Sequence, residues 1–522
     1  MSLGTALMAE KSMLPSRFFL CLIALAMCLL IFSSTFLFRL NDNSFTPALF
    51  EIVDDYNSTE YFLSELRQLP YQPSDTDTIS PSSDKSEISE EVVPQVTRVV
   101  KIDSLGYDKV KVCDPDHAIL KVYMYDLPPE FHFGLMGWKG GLNQVWPDVS
   151  NISQIPRYPG GLNLQHSIAY WLTLDLLSSN SEEVLRPCTA IRVQNTNDAD
   201  IIFVPFLSSL SYNRYSRHIK KRKDSIDRIL QDKLVEFLKD QDEWKRSGGK
   251  DHLIVAHHPN SMLAARRELG SARFVLADFG RYPKTIANLQ KDVIAPYQHV
   301  IKTTPANISA PFEDRPILVY FQGAIYRKDG GAIRQELYYL LKDEKDVHFS
   351  FGSVRANGIN QAGRGMAASK FCLNIAGDTP SSNRLFDAIA THCVPVIISD
   401  DIELPFEDVL DYSEFCVFVR ATDAVRKGYL LNLLRGIDRE KWSKMWDRLK
   451  EIEKHFEYQF PSRPGDAVDM IWGVVSRKLS ASYNEVYRKN RYNKTKLLLN
   501  TRILNNSGST LFLLGKKYTF GI

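Results

Sequence analysis

Short apolar runs alternate with amphipathic stretches along most of this chain. KVYMYDLP (121–128) predicts a strand ending in a turn, and LQHSIAYWLTLDLL (164–177) carries apolar residues at helical spacing. ADIIFVPFL (199–207) is short and rich in branched and aromatic residues, which predicts a buried strand. Residues 222–246 are highly charged, with Ile, Leu, Val and Phe at helical spacing. HLIVAHH (252–258) and RFVLADFG (273–280) predict two more strands. The pattern restarts near residue 315. It predicts a strand at ILVYFQG (317–323), a loop at RKDGG, a helix at AIRQELYYLL (332–341), and strands at 347–353, 371–377, 394–399 and 416–419. Strands alternating with helices predict parallel sheets covered on both faces. The stretch 300–314 is the expected hinge between the two sets.

A different pattern precedes these units. Phe18 to Phe38 is uncharged and lies between Arg17 and Arg39. About 20 apolar residues span a bilayer as a helix. A cleaved signal peptide would have a shorter apolar core and a small-residue cleavage site, so an uncleaved signal-anchor is expected. Lys11 and Arg17 precede it, while Asp42, Glu51, Asp54 and Asp55 follow. The positive side stays cytosolic, which predicts a lumenal location for everything after the anchor. PSDTDTISPSSDKSEISEEVVP (73–94) lacks aromatic residues and cannot bury enough apolar surface to fold. The expected order is a cytosolic tail (1–17), the anchor (18–38), a disordered stem (39–112), two α/β domains (113–305 and 306–488) and a tail (489–522) with no assigned role.

Composition narrows the classes further. The chain has 522 residues, 44% hydrophobic and 24% charged, with a net charge of +2. That is a globular balance with no bulk charge signal for a nucleic-acid partner. Asn-x-Ser/Thr acceptor sites begin at Asn57, Asn151, Asn307, Asn493 and Asn505, all after the anchor. Cys113, Cys188, Cys372, Cys393 and Cys416 would be lumenal, and an odd number leaves at least one thiol outside an internal pair. Cys113 and Cys188 flank the first α/β unit and are the expected pair.

The candidate chemistry is densest at 372–406, CLNIAGDTPSSNRLFDAIATHCVPVIISDDIELPF. A Gly- and Ser-rich loop leads into a short helix and then a β-branched strand. Thr379, Ser381 and Ser382 are all suited to cap the helix, and Leu385 and Ile389 would form its buried side. A helix N-terminus suits a diphosphate. Arg384 in the first turn could hold phosphate, and Asp387 three residues on could accept hydrogen bonds from ribose hydroxyls. An ordinary ion pair on a capped helix has the same spacing. Arg327, Lys328 and Arg334 surround Gly330 and Gly331 at another strand-to-helix turn. Glycines let the backbone approach phosphate, and basic groups offset its charge; a solvated basic loop reads the same way.

The block GDTPSSNRLFDAI, followed by HCVPVIISDDIELPFEDVLDY, resembles the C-terminal region of exostosin-like glycosyltransferases. The likeness extends through YFQGAIYRKDGGAIR (320–334), KDHLIVAHHPN (250–260), ADFGRYP (277–283) and KVYMYDLPPEF (121–131), and so covers about residues 120–480. Within that family the chain most resembles the plant branch of pectic arabinan arabinosyltransferases. Many members carry Glu where this chain has Asp387, one methylene shorter. The resemblance implies a GT-B-like α/β fold, two Rossmann-like domains facing a cleft. The N-terminal domain would take the acceptor and the C-terminal domain the nucleotide sugar. Arg327, Lys328, Arg334, Ser381, Ser382, Arg384 and Asp387 become the expected donor-binding set.

The resemblance also implies an inverting Golgi type II enzyme. It would move a sugar, arabinose above others, from a UDP-sugar to a polysaccharide such as pectic arabinan. Inversion needs one general base opposite the leaving diphosphate. Asp126, His257, His258 and Asp278 lie at strand ends of the N-terminal half, with His258 and Asp278 ranked first. No metal site and no obligatory cofactor are expected. The Asp-x-Asp pairs at 75–77, 114–116, 198–200 and 240–242 fall away from the nucleotide region, and adjacent strand residues His257 and His258 point to opposite faces. Expected partners are the nucleotide sugar, the glycan acceptor, the membrane through one helix, and a homo- or hetero-oligomer with related glycosyltransferases. Transfer of galactose or xylose, or a non-catalytic anchoring subunit, are the competing readings.

Overall fold

A computed structural model describes residues 117–482, apart from 182–183, 218–223, 280–286, 328–330 and 353–356. The expected anchor, stem and C-terminal tail, and the acceptor sites at Asn57, Asn493 and Asn505, lie outside the described residues. Asn151 and Asn307 are exposed. No helix among the described residues is long and apolar enough to cross a membrane.

Two parallel sheets organise the chain, as the alternating pattern predicts. The first contains β1 (Leu120–Met124), β2 (Ala190–Val193), β3 (Ile201–Val204), β4 (His252–Val255), β5 (Arg273–Leu276) and β6 (Val293–Ile294), in the order β2-β1-β3-β4-β5-β6. The second contains β7 (Ile317–Gly323), β8 (Val347–Phe351), β9 (Ser369–Ile375), β10 (Val394–Ile398) and β11 (Val417–Phe418), in the order β11-β10-β9-β7-β8. Read from its own first strand, each sheet runs second, first, third, fourth, fifth. Strand order therefore reverses between β1 and β3 and again between β7 and β9, the positions where open α/β sheets present a crevice beyond the strand ends.

The central strands β3, β4 and β5 are buried at every position because helices cover both faces. The helix Ile226–Asp240 shows how the charged stretch resolves: Leu230, Leu234 and Leu238 bury one stripe, and Ser225 caps the start by accepting from the Arg228 N–H at 3.1 Å. The predicted strand 317–323 and helix 332–341 occur at those residues. Two strands, β2 and β6, were not predicted. β2 (AIRV) is interrupted by Arg192 and β6 has two residues, so neither forms an uninterrupted apolar run.

The last described helical stretch, 467–482, returns to the first sheet. Trp472 donates to the buried Asp175 Oδ2 at 2.9 Å and packs edge-on to Phe203. Arg186 pairs with the same carboxylate at 2.6 Å. Cys372 and Cys393 form a disulfide between β9 and the entry to β10. Cys188 is also disulfide-bonded, its expected partner Cys113 lies outside the described residues, and Cys416 is a buried free thiol.

Candidate functional site

The crevice of the second sheet gathers arginines. Gly323 ends β7, and a Cβ there would sit 1.9 Å from an Arg384 guanidinium nitrogen, so only glycine admits this side chain. Arg384 donates through Nε to the Gln322 carbonyl at 2.8 Å and through a terminal nitrogen to Ser382 Oγ at 3.1 Å. Its guanidinium lies 5.0 Å from the Phe321 ring centroid. Arg334 is buried in the helix Ala332–Leu341 and donates to three backbone carbonyls, Ala376 at 3.0 Å, Ala324 at 3.2 Å and Ile375 at 2.7 Å. It ties the end of β7 to the end of β9. Arg327 sits nearer the surface and pairs with Asp378 at 2.9 Å, while Lys328 lies outside the described residues.

The Gly- and Ser-rich loop meets the first sheet. Ser381 donates its N–H and its hydroxyl to Asp278 Oδ2, at 3.0 and 2.5 Å. Tyr297, from the segment after β6, lies 3.0 Å from the same hydroxyl oxygen. Because the Ser381 proton goes to Asp278, Tyr297 is the donor in that contact. The helix Arg384–Ala390 has Asn383 at its N-cap with no side-chain cap bond, so the expected caps are used differently: Ser381 turns toward Asp278 and Ser382 toward Arg384. Leu385 and Ile389 are buried, as their spacing predicts.

Asp387 is held within the chain. Its Oδ1 accepts from the Val300 N–H at 2.9 Å and its Oδ2 from the Asn383 side-chain amide at 2.9 Å. Burial pushes its carboxyl upward from the ordinary range, and the Val300 bond and nearby His299 oppose this. The Arg384 and Asp387 contacts therefore run to Gln322, Ser382, Val300 and Asn383, and Asp387 ties the hinge to the helix.

The first sheet presents imidazoles. Beyond β4, buried His257 lies with its Nε2 3.1 Å from the Ala295 carbonyl and its Nδ1 2.8 Å from the Nδ1 of His166. Burial pulls His257 down to about 3, and burial, with His258 and His257 beside it, holds His166 well below the usual histidine range. His258 packs edge-on to His166 and over Tyr212, at 4.7 and 4.6 Å between centroids. Its Nδ1 accepts from the Asn260 N–H at 3.1 Å. Asp126, beyond β1, accepts from Trp146 and Arg192, each at 2.6 Å. Among the ranked base candidates, Asp278 touches the loop of the second sheet and His258 stands beside His166. Nothing in the sequence singles out His166, which is one polar position in the apolar stretch LQHSIAYWLTLDLL.

Among the described residues, no group of three or more His, Cys, Asp or Glu side chains could hold a metal ion. Asp200 accepts from the Lys121 N–H at 2.8 Å, and Asp240 and Asp242 lie near Lys245 at 3.3 and 3.9 Å.

Residues 117–434 match the Exostosin GT47 domain. Probable arabinosyltransferase ARAD1 of Arabidopsis thaliana is 39% identical over 371 residues, 70% of this chain and 80% of that protein. Probable glucuronosyltransferase GUT1 of Oryza sativa subsp. japonica is 24% identical over 391 residues, 72% of this chain and 84% of that protein. Among solved structures, TarM aligns over 48% of this chain and 57% of its own at 12% identity, with a TM-score of 0.24.

Proposed function

The chain belongs to the exostosin GT47 family of glycosyltransferases, and on that premise we propose that it transfers arabinose from a UDP-sugar to a pectic arabinan chain, with inversion at the anomeric carbon. The observation that carries this reading is the crevice between β7 and β9, where Arg384 crosses Gly323 and Arg327 stands at the rim. A diphosphate needs fixed positive charge, and the Gly323 position lets the Arg384 guanidinium lie across the end of β7 to supply it. The choice of arabinose rests on the 39% identity to the Arabidopsis relative.

In this reading Arg384 and Arg327 face the diphosphate, and their charge stabilises the leaving group as the glycosidic bond to it breaks. Ser382 orients Arg384 through its hydroxyl. Arg334, Ser381 and Asp387 support the crevice from within, by the carbonyls, Asp278 and Val300 respectively. The positive side chains supply the role a divalent ion would otherwise fill, so transfer proceeds without an obligatory metal. The enzyme works in the Golgi lumen, held by the 18–38 run, and the Cys372–Cys393 disulfide suits that oxidising compartment.

The test is product linkage analysis with a panel of UDP-sugars and glycan acceptors, with and without chelator. Arabinan extended from UDP-arabinofuranose, undiminished by chelator, is the expected result. Preferred transfer of galactose, xylose or glucuronic acid would overturn the arabinose assignment. Binding of UDP without transfer of any sugar would favour a non-catalytic subunit.

A further inference from the structure

We infer that the acceptor hydroxyl is deprotonated by Nε2 of His166, presented by a two-histidine relay that begins at the Ala295 carbonyl. This rests on the glycosyl-transfer reading above. A backbone carbonyl only accepts, so His257, 3.1 Å from the Ala295 oxygen, carries its proton on Nε2. A neutral His257 then has its lone pair on Nδ1. That atom is 2.8 Å from His166 Nδ1, so His166 is the donor there and carries its proton on Nδ1. The Nε2 of His166 is left as the ring's acceptor. Burial supports the neutral form of both rings, since no carboxylate bonds either of them in this relay.

The neighbouring candidates are arranged otherwise. His258 accepts from the Asn260 N–H through Nδ1, which puts the proton of the neutral ring on Nε2 and leaves that atom without a lone pair for a base. Asp278 spends Oδ2 on two bonds from Ser381. Asp126 lies against Trp146 and Arg192. His166 is also placed toward the donor side. Its ring is 5.1 Å from that of Tyr297, whose hydroxyl reaches Ser381 in the second-sheet loop. The single Ser167 hydroxyl proton is directed to either of two acceptors in reach, the Leu164 carbonyl at 2.8 Å or Gln298 Oε1, and Gln298 Oε1 also accepts from Trp171 at 2.9 Å. These contacts fix the turn Gly161–His166 against the segment that carries Ala295 and Tyr297.

The acceptor O–H proton moves to His166 Nε2, the acceptor oxygen bonds to the anomeric carbon, and the bond from that carbon to the diphosphate oxygen breaks. The nucleoside diphosphate leaves with the electron pair. A doubly charged diphosphate nearby raises the proton affinity of an imidazole that burial has lowered. His257 is a positioning residue: it sets the tautomer of His166 and does not meet the acceptor.

The experiment uses the full chain with UDP-arabinofuranose and arabinan oligosaccharides. His166→Ala and His166→Gln should each lower kcat by about a hundredfold or more. Donor KM and UDP affinity by calorimetry should stay within about threefold, and added imidazole should restore part of kcat in His166→Ala. His257→Gln can still donate to Ala295 and accept from His166, so it should hold kcat within about tenfold, while His257→Leu should fall with His166→Ala. Retention of kcat within tenfold in either His166 variant overturns the inference, as does loss of UDP binding in step with kcat. Absence of transfer in the wild type would instead overturn the reading on which it rests.

Discussion

The two sheets share a strand order yet gather opposite chemistry at their carboxyl ends. In the second, Arg334, Arg384 and Arg327 crowd the crevice between β7 and β9, and two of them bond backbone carbonyls there. In the first, the corresponding crevice between β1 and β3 has the Asp126–Arg192 pair at its edge, with the Asp126 side chain 59% exposed. Buried His257 lies farther along, beyond β4, against His166, and burial pulls the pKa of both rings down. In the reading proposed above, one scaffold serves as an anion cradle and, repeated, as the side that carries the proton acceptor. The strand order creates the crevice in both; the side chains at the strand ends decide what it holds.

The largest test of that contrast is Arg334→Ala. It leaves three buried carbonyls without their donor, so unfolding free energy should fall by about 3 kcal/mol or more, read from the denaturant midpoint. A loss below about 1 kcal/mol would mean that the arginines of the second sheet are no more structural than those of the first. Next in size is the joint between the sheets. Asp278→Ala removes both bonds from Ser381 and should cost about 2 kcal/mol, while Asp278→Asn keeps an acceptor oxygen, costs less, and retains transfer within about tenfold. A thousandfold loss of transfer in Asp278→Asn would return the base role to Asp278.

A smaller effect is pH-dependent. Burial alone would lower the His299 pKa, but Glu457, 2.9 Å away, overrides it and raises it to about 9 from 6.5. A raised folded-state value means that the pair's stabilisation is fully present below pH 6.5 and is lost as pH rises through about 9. Denaturant midpoints of the wild type should fall across that window, and those of His299→Gln should fall less. The smallest change expected is Asp126→Asn. The Asp126 side chain is 59% exposed and an amide oxygen can still accept from Arg192, so stability should move by less than about 1 kcal/mol.

These contrasts were unevenly legible along the chain. The strand 317–323 and the helix 332–341 follow from apolar runs long enough to show a period. β6 has two residues and shows none. The region of the candidate site was also legible, because glycines, serines and basic residues cluster at a strand-to-helix turn. Side-chain partners were not. Arg384 and Asp387 are three apart and read as a pair, yet one reaches Gln322 and the other Val300. His166 and His257 are 91 residues apart, and no local pattern joins them.

The sequence by itself determined the α/β alternation, the restart near residue 315, the family, and the cluster of phosphate-suited residues. All of these depend on local periodicity or on contiguous motifs. The tertiary structure alone decided which atoms meet. It turned Ser381 onto Asp278, buried Arg334 among carbonyls, and set His257 between His166 and the Ala295 carbonyl. The reason is physical: a hydrogen bond depends on distance and direction to a few tenths of an ångström, and those are set by how two sheets and the returning 467–482 helix pack, not by neighbours in the chain.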